Sequence, residues 1–189
     1  MEEGSISIAI FASGSGSNAE NIARYFDKHR QIKVSEILSN KADAYVLKRA
    51  DKLGIRSSTF NREEFTTPSF LERLQNFDYI ILAGFLWLVP EFLIRAFPDK
   101  IINIHPALLP NYGGKGMYGS KVHEAVVAAK EEESGITIHL INEEYDKGEI
   151  LFQRKCRVEE DETPDSLASK IHALEHEHFP RVIEQYILQ

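Results

Sequence analysis

Cysteine is almost absent: Cys156 is the only one in 189 residues. An internal disulfide is therefore impossible, and a Cys-x-x-Cys metal or redox motif has no second half. We read this thiol as packed or incidental. Positive charge is also short, with 22 Lys and Arg against 29 Asp and Glu, a net charge of −7. Without a basic run the chain lacks the electrostatic footprint of a nucleic-acid or anionic-membrane binder, so an anionic ligand has to be held by local donors. No apolar run approaches the roughly 20 residues that span a bilayer, and Met-Glu-Glu-Gly is not the start of a secretory leader. The expectation is a cytoplasmic protein, monomer or homodimer, with small-molecule partners and neither nucleic acid nor membrane.

What is there suffices for a core. With 43% hydrophobic residues, a chain of this length buries roughly 70% of its unfolded surface in one domain, expected here to span 1–189. A β-branched apolar run over 5–11 reads as a buried parallel strand, followed by a glycine loop and a helix over 19–28. Strand 34–38, a helix stopped by Gly54, strand 55–60, short helical pieces over 61–77 and strand 79–83 continue the alternation. Later come a helix over 120–131, strands over 135–142 and 149–158, and a final helix that starts at Thr163-Pro164 with a break expected at Pro180. Alternating strands and helices imply an α/β, three-layer Rossmann-like fold. Its twisted sheet is mostly parallel with helices on both faces, and ligands bind at the carboxyl ends of the strands.

The loop Ala12-Ser-Gly-Ser-Gly-Ser-Asn18 ends the first strand. Glycine lets backbone approach a ligand closely, and the following helix start offers N–H groups to an anion, so Gly14, Ser15, Gly16, Ser17 and Asn18 read as a phosphate cradle. A Walker A loop would need Gly-Lys-Ser/Thr. Gly14-x-Gly16-x-x-Ala19 fits the dinucleotide fingerprint, but the acid expected at the end of the second strand is replaced by Ser39-Asn-Lys41. A tight turn with no ligand is the third reading.

The stretch from Ile101 to Leu151 carries the chemistry. It opens Ile-Ile-Asn-Ile-His-Pro-Ala-Leu-Leu-Pro, which delivers Asn103 and His105 to a strand end, on one face by the period of two, before Pro106 and Pro110 stop regular structure. Asp146 lies 41 residues after His105, in a second loop, where it can fix the imidazole or hold a catalytic water. No nucleophilic Ser or Cys stands in the motif, which favours direct acyl transfer between two bound substrates over a covalent intermediate.

Other features have plainer readings. Ala83-Gly-Phe-Leu-Trp-Leu-Val-Pro90 is apolar beyond the needs of one strand end. Leu86 and Leu88 fit core, and they also fit the wall of a pocket for a flat ring. Four glycines within 111–119 suggest a mobile lid. His123 reads as solvated or capping. Thr137 and His139 share a strand face, which makes His139 a candidate second base. Glu143 and Glu144 sit in the loop of Asp146. His172-Ala-Leu-Glu-His176 has the form of an inverted zinc-peptidase motif, but few residues follow to supply a further ligand, and no metal is expected.

Asn-x-His-Pro-x-Leu-Leu-Pro, complete here at Asn103 to Pro110, together with Asp146-Lys-Gly148, resembles the formyltransferases that use 10-formyltetrahydrofolate. The resemblance covers nearly the whole chain. It implies 10-formyltetrahydrofolate as co-substrate and Asn103, His105 and Asp146 as catalytic residues, with His105 and Asn103 facing a developing oxyanion. Ser-Gly-x-Gly-Ser-Asn near the N-terminus resembles the phosphate loop of members that formylate glycinamide ribonucleotide. Glu175 is then implied at the ribose and His172 near the phosphate. For the folate, the resemblance implies Phe85, Leu86, Trp87, Leu88 and Val89 as pocket wall, with Asn103, Glu143, Glu144 and Asp146 around it. Trp87 stands where many members carry Arg. A formyl-folate hydrolase with water as acceptor, a formyltransferase for another amine and a non-catalytic nucleotide-binding module remain alternatives.

Overall fold

The computed structural model describes residues 4–144 and 146–189. Its seven strands form one mostly parallel sheet in the order β3-β2-β1-β4-β5-β6-β7, and the chain divides into two compact units, up to Ile102 and from Asn103 onward. No helix among the described residues is long and apolar enough to cross a membrane.

In the first unit β1 (Ile6–Phe11) runs parallel to β2 (Ile32–Ser39) on one side and β4 (Tyr79–Leu82) on the other. Its residues Ile8 to Phe11 are buried in succession, as a parallel strand covered on both faces requires. Helix α1 (Ser17–Phe26) buries Ala19, Ile22, Ala23 and Phe26, the i, i+3, i+4, i+7 stripe of an amphipathic helix. Helix α2 (Tyr45–Lys52) buries Val46 and Ala50. The expected third strand shrinks to β3 (Ser57–Thr59), because the Ile55 N–H is spent on the Ala50 carbonyl behind α2.

Short helices α3 (Arg62–Phe65) and α4 (Leu71–Leu74) flank a 3-10 turn at Pro68–Phe70. Asn61 and Glu64 cap α3 reciprocally, each side chain accepting the other's backbone N–H. Between them, Phe60, Phe65 and Phe70 gather on Phe11 with ring centroids 5.6–6.5 Å from it. Helix α5 (Glu91–Ala96), not anticipated from the sequence, starts directly after Pro90.

Strand β5 (Ile101–His105) leads into the second unit. There β6 (Glu133–Leu140) and β7 (Ile150–Arg157) pair antiparallel, and α6 (Ser120–Ala128) packs with α7 (Pro164–Ile187), which also covers both strands. Thr163 caps α7 with Ser166, and Pro164 occupies the first turn as expected.

The break expected at Pro180 does not occur; α7 runs through it to Ile187. A proline inside a helix costs about 3 kcal/mol or more. Phe179, Val182 and Ile183 beside it are buried, and each such side chain returns roughly 1.5–3 kcal/mol on leaving water. Packing outweighs the lost hydrogen bond.

Candidate active site

The polar cluster of the second unit is assembled by two strands and one loop. β5 brings Asn103 and His105 to its carboxyl end, and β6 presents Thr137 and His139 two residues apart on one face. The Thr137 hydroxyl donates to the Ala107 carbonyl at 2.7 Å and accepts the Leu109 N–H at 3.0 Å. Gln153 of β7 donates to the Leu109 carbonyl and to the same hydroxyl, at 3.0 and 2.9 Å. The Pro-Ala-Leu-Leu segment after β5, which has no regular structure of its own, is thus fastened to the β6–β7 pair.

His139 is fully buried. Its Nδ1 lies 2.8 Å from the Leu140 carbonyl, which only accepts, so Nδ1 carries the proton. Nε2 is then a lone pair, and it accepts the Asn103 amide Nδ2–H at 3.0 Å. Burial pushes the His139 pKa down, and the charge of His105 acts the same way; the Leu140 hydrogen bond and Asp146 oppose them without reversing the direction. A neutral His139 thus holds the Asn103 amide in one orientation.

His105 is 4% exposed, and its Nε2 lies 2.8 Å from the Tyr112 carbonyl. By the same reasoning Nε2 donates, and Nδ1 carries the lone pair of the neutral ring. Nδ1 lies 3.7 Å from Asp146 Oδ2, and the other carboxylate oxygen is 3.7 Å from His139 Nε2. Oδ2 also accepts the Gly114 N–H at 2.8 Å. A Cβ on Gly113 would come within 2.5 Å of the Leu109 side chain and 3.3 Å of Asp146 Cβ, so only glycine lets this loop lie so close.

His123 departs from expectation: it is 7% exposed rather than solvated. Val122, His123 and Val126 form the inward side of α6, and the His123 Nδ1 has no hydrogen-bond partner among the described residues. Burial, and secondarily the charge of His105, lower its pKa.

In the first unit, Gly16 caps α1 in the left-handed conformation, φ 75°, where a Cβ would lie 2.2 Å from Val46 Cγ2. Glycine is required there on both counts, whereas Gly14 faces open space. The N-cap residue itself, a glycine, brings no side chain to the positive end of α1. Arg49 donates to the Ser15 carbonyl at 2.8 Å and pairs with Glu20, lowering the Glu20 pKa together with Arg24.

The Ser13 hydroxyl accepts the Leu86 N–H at 3.0 Å and the Ser13 N–H reaches the Gly84 carbonyl at 3.1 Å, tying the glycine loop to the apolar segment after β4. In that segment Val89 is core, but Leu86 and Leu88 are each 41% exposed, which overturns the core reading for them. Phe85 and Trp87 turn toward the aromatic cluster instead; Trp87 lies 5.8 Å from Phe65 and 6.0 Å from Phe60, and the leucines are left outward. The Arg62 guanidinium stacks over Trp87 at 4.5 Å. A cation therefore stands beside Trp87, a feature no motif announces.

On α7, Glu175 is buried while His172 is exposed and stacks on His176 at 4.1 Å. Their shared spacing does not give them a shared environment. Glu143 and Glu144 are exposed, the latter paired with Lys147. Cys156 is half-buried with burial raising its pKa, as suits a packed thiol.

The Formyl transferase family model matches residues 6–183. Phosphoribosylglycinamide formyltransferase from Bacillus subtilis is 34% identical over 187 residues, 95% of this chain and 93% of that protein. The chloroplastic phosphoribosylglycinamide formyltransferase of Arabidopsis thaliana is 40% identical over 185 residues, 93% of this chain and 63% of the relative, so the chain spans less than two thirds of that protein's length. The crystal structure of phosphoribosylglycinamide formyltransferase from Bacillus halodurans matches with a TM-score of 0.84 at 31% identity, covering 95% of this chain and 94% of that one. With a family model matched over most of its length, and full-length relatives that carry the same name, this chain belongs to the formyl transferase family.

Proposed function

We propose that the chain transfers the formyl group of 10-formyltetrahydrofolate to the amine of glycinamide ribonucleotide, a step of purine biosynthesis. The observation that carries the reading is Asp146 set between two imidazoles, 3.7 Å from each, with the Asn103 amide held at 3.0 Å by one of them. Such a cluster moves protons and stabilises an oxyanion, and no serine or cysteine stands among its described residues.

In this reading the amine nitrogen attacks the formyl carbon, and a C–N bond forms. The other amide N–H of Asn103 donates to the oxygen as it gains negative charge. Losing one such donor typically costs about 2.7–4 kcal/mol of transition-state stabilisation. The attacking amine must lose a proton and the folate nitrogen must gain one as the old C–N bond breaks. Nδ1 of His105, with Asp146 and a water it holds, passes that proton, a role typically worth roughly 100- to 10,000-fold. Asp146 offsets the charge of the imidazolium while the proton is in transit. Aligning the two substrates supplies a further share of the rate.

Substrate contacts follow the same reading. Gly14, Ser15, Gly16, Ser17 and Asn18 hold the ribonucleotide phosphate at the N-terminus of α1, whose N-cap is the left-handed Gly16. Glu175 holds the ribose, with His172 near the phosphate. Outward Leu86 and Leu88, with Phe85, Trp87 and Val89, hold the folate ring, and Glu143, Glu144, Asn103 and Asp146 supply polar contacts to it.

The test is to incubate the protein with folate carrying an isotope-labelled formyl group and the ribonucleotide. Label recovered on the ribonucleotide nitrogen supports transfer. Label recovered as formate, with the ribonucleotide unchanged, refutes it in favour of hydrolysis.

A further inference from the structure

We propose that Tyr112 is a positioning residue for His105, acting through a clasp between its hydroxyl and Glu131 that holds its own backbone carbonyl against the imidazole; this rests on the function proposed above.

The chain of contacts is continuous. Nε2 of His105 donates to the Tyr112 carbonyl at 2.8 Å, and two residues on, Gly114 donates its N–H to Asp146 at 2.8 Å. Two residues of one loop therefore orient both proton-handling side chains through their backbone groups. The loop has little to keep it there by itself. Tyr112 adopts φ 57°, a left-handed conformation disfavoured for a side chain of its size, so an outside contact has to hold it.

The Tyr112 hydroxyl supplies that contact by donating to the Glu131 carboxylate at 2.7 Å. Glu131 is itself fixed. Its N–H bonds to the Val126 carbonyl, with Lys130 left-handed at φ 55°, which closes the carboxyl end of α6. Since α6 buries Val122 and Val126, the clasp connects the loop to a packed helix. The hydrogen bond to Glu131, with burial and the carboxylate charge, pushes the tyrosine pKa up to about 12, so the donor keeps its proton at any working pH.

Through this clasp Tyr112 does for His105 what Leu140 does for His139. A backbone acceptor fixes which nitrogen carries the proton and leaves the other to face Asp146.

The experiment is a double-mutant cycle on Tyr112→Phe and Glu131→Ala, with Glu131→Gln as the conservative variant. A net hydrogen bond of this kind corresponds to about two- to tenfold, so kcat should fall by that factor in either single variant while both KM values stay within about twofold. The double variant should be no worse than the singles. Glu131→Gln, which keeps an acceptor oxygen, should retain wild-type kcat. Ring 15N shifts of neutral His105, assigned by their loss in His105→Ala, should move from the pure Nε2–H form toward a mixture in Tyr112→Phe. Unchanged kcat and ring shifts, additive losses, or a faster Tyr112→Phe enzyme would each overturn the clasp. The ring shifts report on it even if the wild-type protein transfers no formyl group, an outcome that would refute the functional reading alone.

Discussion

Asn103 donates its side-chain amide to Nε2 of His139 at 3.0 Å, and the Leu140 carbonyl, 2.8 Å from Nδ1, is what makes that nitrogen an acceptor. A fully buried histidine thereby sets the direction in which the Asn103 amide points.

That pair predicts the behaviour of His139→Leu. The amide would lose its acceptor, and an unsatisfied buried polar group costs about 1–3 kcal/mol. Turnover should fall roughly tenfold or more with little change in either KM, and His139→Gln, which restores an acceptor oxygen, should recover part of it. Steady-state kinetics on the two variants check this; equal rates in wild type and His139→Leu would remove the pair from the mechanism.

Asp146→Asn separates charge from geometry. The amide oxygen still accepts the Gly114 N–H, but nothing then balances a proton on Nδ1 of His105, 3.7 Å away. We expect kcat to drop by about 100-fold or more, the scale of a lost acid–base function, with ribonucleotide affinity by calorimetry unchanged within about twofold. Loss of ribonucleotide binding in place of rate would assign Asp146 to recognition.

Trp87 is the only tryptophan of the chain, so its emission reports on its own surroundings. Tetrahydrofolate should quench it saturably. Trp87→Ala also removes the surface on which Arg62 stacks at 4.5 Å. A cation–π contact is worth about 0.5–2 kcal/mol, so folate binding to this variant, followed by calorimetry, should weaken about two- to thirtyfold with the ribonucleotide KM unaffected. Emission indifferent to folate would move the pterin site elsewhere.

Acid should act on stability through two kinds of group. Burial lowers the pKa of His123 and His139 in the folded protein, so below about pH 6.5 the unfolded chain binds protons that the folded one refuses. Stability then falls with pH, at most by about 1.4 kcal/mol per pH unit for each group. His123→Leu should flatten that slope. Glu162 has the opposite history: hydrogen bonds from Lys170 and Ser166 hold its pKa at about 2, so its contribution is present above about 4.5 and is lost as pH falls toward 2. Glu162→Gln should lower stability near neutrality, where the carboxylate is paired with Lys170, and change nothing near pH 2. Urea unfolding at stepped pH reads both effects.

Particular residues show where sequence reading succeeds and where it stops. Asn103, His105, Thr137 and His139 were legible because the strand period alone sets which side chains share a face. Asp146 was legible through its motif, although 41 residues of chain separate it from His105. The orientation of these groups was not, because Tyr112, Gly114 and Leu140 act through carbonyls and an N–H that leave no mark in residue identity. The unbroken α7 at Pro180 and the buried His123 share another cause: each depends on neighbours distant in sequence, whose packing overrides a local preference. Leu86 and Leu88 point outward for the same kind of reason, since Phe85 and Trp87 take the place beside the aromatic cluster.

The measurement that tests the account most directly is the spectroscopic release of tetrahydrofolate from 10-formyltetrahydrofolate, with and without glycinamide ribonucleotide, in wild type and His105→Ala. The account predicts release that requires the ribonucleotide and vanishes in the variant. Release that proceeds equally without it, or no release from the wild-type protein, would contradict formyl transfer to this acceptor.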